Sequence, residues 1–133
     1  MIYTMSYHGW MLDTLYQSIL DHEATLVDIR LMPRSRWVPC WNRSALASTC
    51  GDRYAWIQEL GNRAYKETPR RTLIADLDTG LTRLAAIVQA VPNVVLLCGC
   101  PTLEECHRLV VAQEIETRWQ VPVEHLQAPA RRD

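Results

Sequence analysis

The segment Val94–Trp119, VVLLCGCPTLEECHRLVVAQEIETRW, joins a short apolar run to a longer amphipathic one through three cysteines, a proline and a Cys-His-Arg triplet. Val94 to Cys98 has the unbroken apolar character of a strand buried on both faces. Thr102 to Trp119 has helical spacing: His107, Val111, Ile115 and Trp119 recur every four residues, and Thr102 with Glu105 has the spacing of a capping box. A strand followed by a helix is the repeating unit of a parallel sheet, and here it brings Cys98 to a strand end that faces a helix start.

The same alternation extends in both directions. Ile2 to Met5 is β-favouring, Tyr7-His8-Gly9-Trp10 reads as a loop, and Asp13 can cap a helix over Thr14 to His22. Thr25 to Leu31 reads as a second strand with the polar Asp28 and Arg30 at its carboxyl end. Pro33 and Pro39 exclude helix from the Arg-rich stretch between them. A short helix from Asn42 or Arg43 to Cys50 stops at Gly51, and Tyr54 to Leu60 reads as a third strand leading into Gly61-Asn62-Arg63. Residues 64–72 form a polar excursion, and 73–78 fit neither period. Asp78 or Thr79 caps a helix carrying Leu81, Leu84, Ala85, Val88 and Val91, and Val121 to Leu126 forms a last strand. The expected fold is a single α/β domain over residues 1–128: a sheet of about five mostly parallel strands flanked by helices, three-layered and Rossmann-like, with a tail at 129–133.

Composition narrows the setting. With 133 residues, 48% of them hydrophobic, the chain is long enough for one core without disulfides or a structural metal. Five cysteines without a regular framework, and an N-terminus lacking secretory features, predict reduced thiols and a cytoplasmic location. No apolar run approaches the ~20 residues of a membrane helix, so no membrane partner is expected. The net charge of -1 is unevenly spread: Arg30 to Arg71 holds nine basic and three acidic residues. Thirteen of the fourteen cations are Arg, whose guanidinium is a fork for phosphate or carboxylate.

Ligands of parallel α/β sheets collect at the carboxyl ends of the strands. That rule gathers Tyr7 and His8, then Asp28, Arg30, Arg34 and Arg36, then Asn62 and Arg63, and finally Cys98, His107 and Arg108. A thiol facing a helix N-terminus beside Arg or His is a candidate thiolate nucleophile, with His107 as its base or orienting group. A small buried hydrophobe is the competing reading of Cys98. Asp28 and Arg30, two apart, share one strand face about 6.6 Å apart by strand rise. Arg108, on an inward helix face, needs an anionic partner, and Asp28 is the internal candidate; anchoring that arginine is the expected role of Asp28. Cys98, Cys100, Cys106 and His107 also offer a ligand set for a metal, but neighbours in one helix diverge by about 100°, which argues against Cys106 and His107 as co-ligands. Neither a dinucleotide fingerprint nor a Walker lysine is present, so arginines are left to cradle any phosphate, and no cofactor or metal is assigned.

Several of these motifs occur in a recognisable order: Thr4-Met5-Ser6-Tyr7-His8, Val27-Asp28-Ile29-Arg30, Pro33-Arg34-Ser35, Glu59-Leu60-Gly61-Asn62-Arg63, Val95-Leu96-Leu97-Cys98-Gly99-Cys100 and Cys106-His107-Arg108. In this the chain resembles the bacterial and archaeal family called domain of unknown function 488, over nearly its whole length. The resemblance implies an α/β domain and attaches no reaction. Ser6 stands where the family pattern has Gly, His8 where it has Ser, and Cys100 where it has an acidic residue. A looser likeness to rhodanese-type domains is one of local physics only.

The leading functional expectation is an anion-binding protein that takes a phosphate-bearing small molecule or nucleotide. Cys98, His107 and Asp28 would carry thiol-based enzymatic chemistry, and Tyr7, His8, Arg30, Arg34, Arg36, Asn62, Arg63 and Arg108 would hold the ligand. The rival is a non-catalytic nucleic-acid or protein adaptor that uses Trp37, Trp41, Tyr54 and Trp56 among the arginines of residues 30–71. A Cys/His metal site is a third reading. Substrate and oligomeric state are not legible.

Overall fold

In the computed structural model, residues 1–67, 69 and 71–128 are described; the expected tail at 129–133 and two residues of the polar excursion lie outside them. Five strands, β1 (Ile2–Ser6), β2 (Ala24–Asp28), β3 (Tyr54–Trp56), β4 (Asn93–Cys98) and β5 (Val123–His125), alternate with four helices. The helices are α1 (Leu12–Asp21), α2 (Arg43–Cys50), α3 (Leu77–Ala90) and α4 (His107–Trp119). The strands form one all-parallel sheet in the order β3-β2-β4-β1-β5.

Strand alternation sorts the core into two halves. Leu15 and Ile19 of α1 and Leu46 and Cys50 of α2 pack with Met5, Leu26, Val95 and Leu97 on one face. Leu81 and Leu84 of α3 and Val111, Ala112 and Ile115 of α4 pack with Val27, Val94, Leu96 and Cys98 on the other. The first two crossovers step toward the β3 edge over one face and the last two step back over the other, so all four share one hand. The chain is therefore a single three-layer α/β domain. Among the described residues, no helix is long and apolar enough to cross a membrane.

The element boundaries differ from the sequence reading where side chains compete with backbone pairing. β2 ends at Asp28 rather than Leu31, because the Asp28 carboxylate turns back to accept the Arg30 amide (3.1 Å). β3 covers only Tyr54–Trp56, and Gln58–Leu60 coils into a 3₁₀ turn. Asp76, not Asp78 or Thr79, caps α3 by accepting the Thr79 amide. Asp13 lies inside α1 and makes no cap. The largest revision is at α4, which starts at His107: Leu103–Glu105 is a separate 3₁₀ turn, so Thr102 and Glu105 form no capping box. His107 and Arg108 are consequently the first two residues of the helix.

Candidate functional site

The connections leaving β2 and β4 diverge to opposite faces of the sheet, and a crevice opens between their carboxyl ends, as expected at a topological switch point. A cleft of about 180 Å³ lies there, lined by Tyr7, Arg30, Leu31, Met32, Asn62, Tyr65, Gly99, Cys100 and His107. Tyr7 stacks between His8 (centroids 4.8 Å apart) and Trp41 (5.4 Å), with the Arg30 guanidinium 5.7 Å from its ring centroid. Burial pushes the Tyr7 phenol up. Two glycines let the walls approach. A β-carbon on Gly99 would sit 3.0 Å from the Tyr7 ring, and one on Gly61 would sit 2.5 Å from the Leu31 Cα and N.

Behind the cleft, Asp28 is fully buried and fully partnered. Its Oδ1 accepts Arg30 Nε (2.8 Å), and its Oδ2 accepts Arg30 Nη2 (2.7 Å) and the Tyr54 hydroxyl (2.7 Å). Arg30 Nη2 also donates to the Trp41 carbonyl (2.6 Å). The expected Asp28–Arg108 pair is thus replaced by a bidentate Asp28–Arg30 pair. The two share a strand face and meet across the tight turn, whereas Arg108 belongs to the opposite face. Burial works to lower the Arg30 pKa, but hydrogen bonding and attraction to Asp28 leave it raised. Burial, reinforced by the Asp28 charge, pushes the Tyr54 phenol up.

A second constellation sits under β4 and at the start of α4. The sulfurs of Cys98, Cys100 and Cys106 all lie within 4.8 Å of one another, and those of Cys98 and Cys106 are 2.6 Å apart. Cys106 precedes α4 in extended conformation and is its N-cap, its sulfur accepting the Arg108 amide at 3.5 Å. Hydrogen bonds from Cys100 and then Cys98 hold Cys106 far below the usual thiol range, with His107 adding to the effect. The helix N-terminus favours the same thiolate. Cys98, at 0% exposure, is shifted the other way: burial pushes it well up.

His107 donates from Nε2 to the Ile29 carbonyl (2.7 Å) and turns Nδ1 toward the Cys106 sulfur (4.0 Å). Burial pulls its pKa down, but hydrogen bonds to Cys100 and Cys106 and the Cys106 charge outweigh it and raise it to about 9. Arg108 donates from Nη1 to the Cys98 sulfur and to the Cys100 carbonyl, both at 3.0 Å. Its Nε is buried without a hydrogen-bond partner, and no carboxylate among the described residues pairs with it. Such a cluster can hold a thiolate, attract an anion or ligate a soft metal. Because Cys106 is extended rather than helical, the 100° divergence that argued against it as a co-ligand of His107 does not apply.

Of the residues singled out in the sequence, Tyr7, Arg30, Asn62 and His107 line the cleft. Asn62 is already committed to structure: its Oδ1 accepts the Ala64 and Leu73 amides and its Nδ2 donates to the Arg71 carbonyl. His8 bonds the Gly99 carbonyl (2.7 Å) and, with Arg108, borders a different groove that runs toward β5. Arg34 lines a third groove with Arg43 and Trp56; Arg36 and Arg63 are exposed. Cys98 lies beneath the cleft, and Cys100 is the cysteine that lines it. The sequence reading missed Tyr65 and the role of Tyr54. The signal for Tyr54 was the buried carboxylate itself, which demands donors, together with a β2–β3 register that sets Tyr54 opposite Leu26, on the face and within diagonal reach of Asp28.

Comparison with curated proteins gives no match. A family model, however, matches residues 12–115, from the start of α1 to near the end of α4, and so includes the Asp28–Arg30 pair, the three clustered cysteines, His107 and Arg108. On that match over most of its length, the chain belongs to the family described as domain of unknown function DUF488.

Proposed function

We propose that the strand-end cleft binds a small anionic group, phosphate or a phosphate-bearing metabolite, and that the protein acts on it in the cytoplasm as a thiol-dependent enzyme. One observation carries this reading: the raised His107 lines the cleft beside Arg30, whose charge Asp28 answers from behind, and none of the lining residues is a carboxylate. At about 180 Å³ the cleft suits the anionic group of a ligand rather than a whole nucleotide, since drug-sized ligands occupy roughly 300–1,000 Å³. The remainder of a nucleotide would rest on the rim. Cys100 is the thiol nearest such a ligand, with Cys98 and Cys106 behind it.

Calorimetric titration with inorganic phosphate and with nucleoside mono- and diphosphates tests the reading. His107→Gln keeps a donor for the Ile29 carbonyl but removes the charge, and it is expected to weaken phosphate binding about tenfold, near 1.4 kcal/mol. Absence of saturable binding, or equal affinity in the variant, would exclude the reading. A second reading has one observation in its favour: Trp37 is 84% exposed and directly follows the exposed Arg34 and Arg36 in the chain, a stacking platform for unpaired bases. It predicts salt-dependent binding of single-stranded nucleic acid that is lost in Trp37→Ala and retained in His107→Gln.

A further inference from the structure

We infer that Cys98 and Cys106 form a redox-active dithiol that closes to an intramolecular disulfide when a small hydroperoxide oxidises Cys106. The inference does not rest on the cleft's taking an anion. It rests on three features of the pair.

The first is distance. The two sulfurs are 2.6 Å apart, and a disulfide needs about 2.05 Å, so closure asks for a movement of roughly half an ångström. A tetrahedral zinc site, with sulfurs at about 2.3 Å from the metal, would instead drive the same two atoms more than an ångström apart. The contact favours the covalent pair over shared ligation.

The second is asymmetry. Peroxide chemistry needs one sulfur as thiolate to attack and one held in reserve to resolve. Cys106 is the first, as N-cap of α4 with the Arg108 amide on its sulfur and His107 Nδ1 at 4.0 Å. Cys98 is the second, fully buried and in contact with Arg108 Nη1. Arg108 thus meets both sulfurs, Cys106 through its backbone amide and Cys98 through its guanidinium, which no carboxylate among the described residues neutralises. The third is nearness to the opening: Cys106 is itself 2% exposed, and its neighbours Cys100 and His107 line the open cleft, so a small hydroperoxide has one layer of side chains to pass.

The steps balance. The Cys106 thiolate attacks the peroxide oxygen; an S–O bond forms, the O–O bond breaks, and the alkoxide or hydroxide leaving group takes a proton from His107 or water. Cys98 then loses its proton and attacks the Cys106 sulfur; the S–S bond forms, the S–O bond breaks, and the oxygen leaves as water. Two thiols and one hydroperoxide give one disulfide, one alcohol (water from hydrogen peroxide) and one water. The sulfurs lose two electrons and the peroxide gains them; an external dithiol resets the pair.

The test uses the full-length wild-type chain, reduced and then treated with equimolar hydrogen peroxide. Cleavage after Glu104 or Glu105 puts Cys106 on one peptide and Cys98 with Cys100 on another. Mass spectrometry without reductant is expected to find these two peptides joined, and dithiothreitol is expected to separate them. Cys100→Ser should still form the link, and Cys98→Ser should instead trap a dimedone-reactive sulfenic acid on Cys106. Unjoined peptides, a link lost in Cys100→Ser, or stoichiometric zinc in the reduced wild-type protein would each overturn the inference.

Discussion

Arg30 and Arg108 are both largely buried beside the strand ends, and they are held in opposite ways. Arg30 spends its donors on a buried carboxylate and a carbonyl, and Tyr54 completes the carboxylate's coordination. Arg108 faces sulfur and a carbonyl, and its buried Nε has no hydrogen-bond partner. The first arrangement is closed, with every charge answered inside the protein. The second is open: the guanidinium touches the Cys98 sulfur, and no carboxylate among the described residues pairs with it. A closed network rigidifies the fold, whereas an open one retains capacity for reaction or binding.

The contrast breaks most sharply at Asp28. Asp28→Ala leaves Arg30 and Tyr54 without their shared acceptor, and should cost about 3–5 kcal/mol of stability. A urea-denaturation midpoint close to wild type would show that the pair is not what closes this region.

The open region is probed next by pH. Taken singly, the raised value of His107 contributes stability that is complete below ~6.5 and lost as pH rises through about 9. The depressed value of Cys106 contributes stability that is complete above ~8.5 and lost as pH falls. Between ~6.5 and ~8.5 the folded and unfolded forms of the pair each carry one proton, so the pair leaves stability flat. Below ~6.5 the unfolded pair takes a second proton that the folded pair refuses, and stability falls by about 1.4 kcal/mol per pH unit. Urea unfolding of wild type against Cys106→Ser over this range should show wild type losing ground on acidification. A constant difference would remove the thiolate from the cluster.

The smallest effect is expected at Arg108 itself. Arg108→Met leaves no carboxylate behind but strips the Cys100 carbonyl of its donor, so stability should fall by about 1–3 kcal/mol. The same variant should slow alkylation of Cys106, measured as reaction rate with iodoacetamide at neutral pH. A loss as large as that of Asp28→Ala would erase the distinction between the two arginines.

The sequence shows the architecture more openly than the site. Apolar runs mark β2, which ends in the polar Asp28, and β4, which ends in Cys98, and the stripe of Val111 and Ile115 marks the buried face of α4. The carboxyl-end rule then suffices to bring Tyr7, Arg30, Asn62 and His107 to one cleft. The details beyond that depend on competition between nearly equal local choices. Thr102 and Glu105 have the letters of a capping box, but the backbone there closes a 3₁₀ turn, and a cysteine four residues past Thr102 caps the helix instead. No propensity scale ranks cysteine as an N-cap. Likewise Asp28 had two arginines within plausible reach, and only the tight turn after β2 decides for Arg30. Arg108 donates to the Cys100 carbonyl, while its Nε stays buried without an acceptor.

The absent β-carbon of Gly61 bears on how the cleft meets a ligand. The backbone of Leu31 approaches so closely that a methyl group would stand 2.5 Å from its Cα. That contact joins the wall carrying Arg30 and Met32 to the wall carrying Asn62 and Tyr65, main chain against main chain, with no side chain between them to compress. At that point the two walls are already in main-chain contact and cannot close further on each other. For the proposed anion, that pre-set contact would leave less to order on binding, and the fixed approach of the two walls would bound the size admitted.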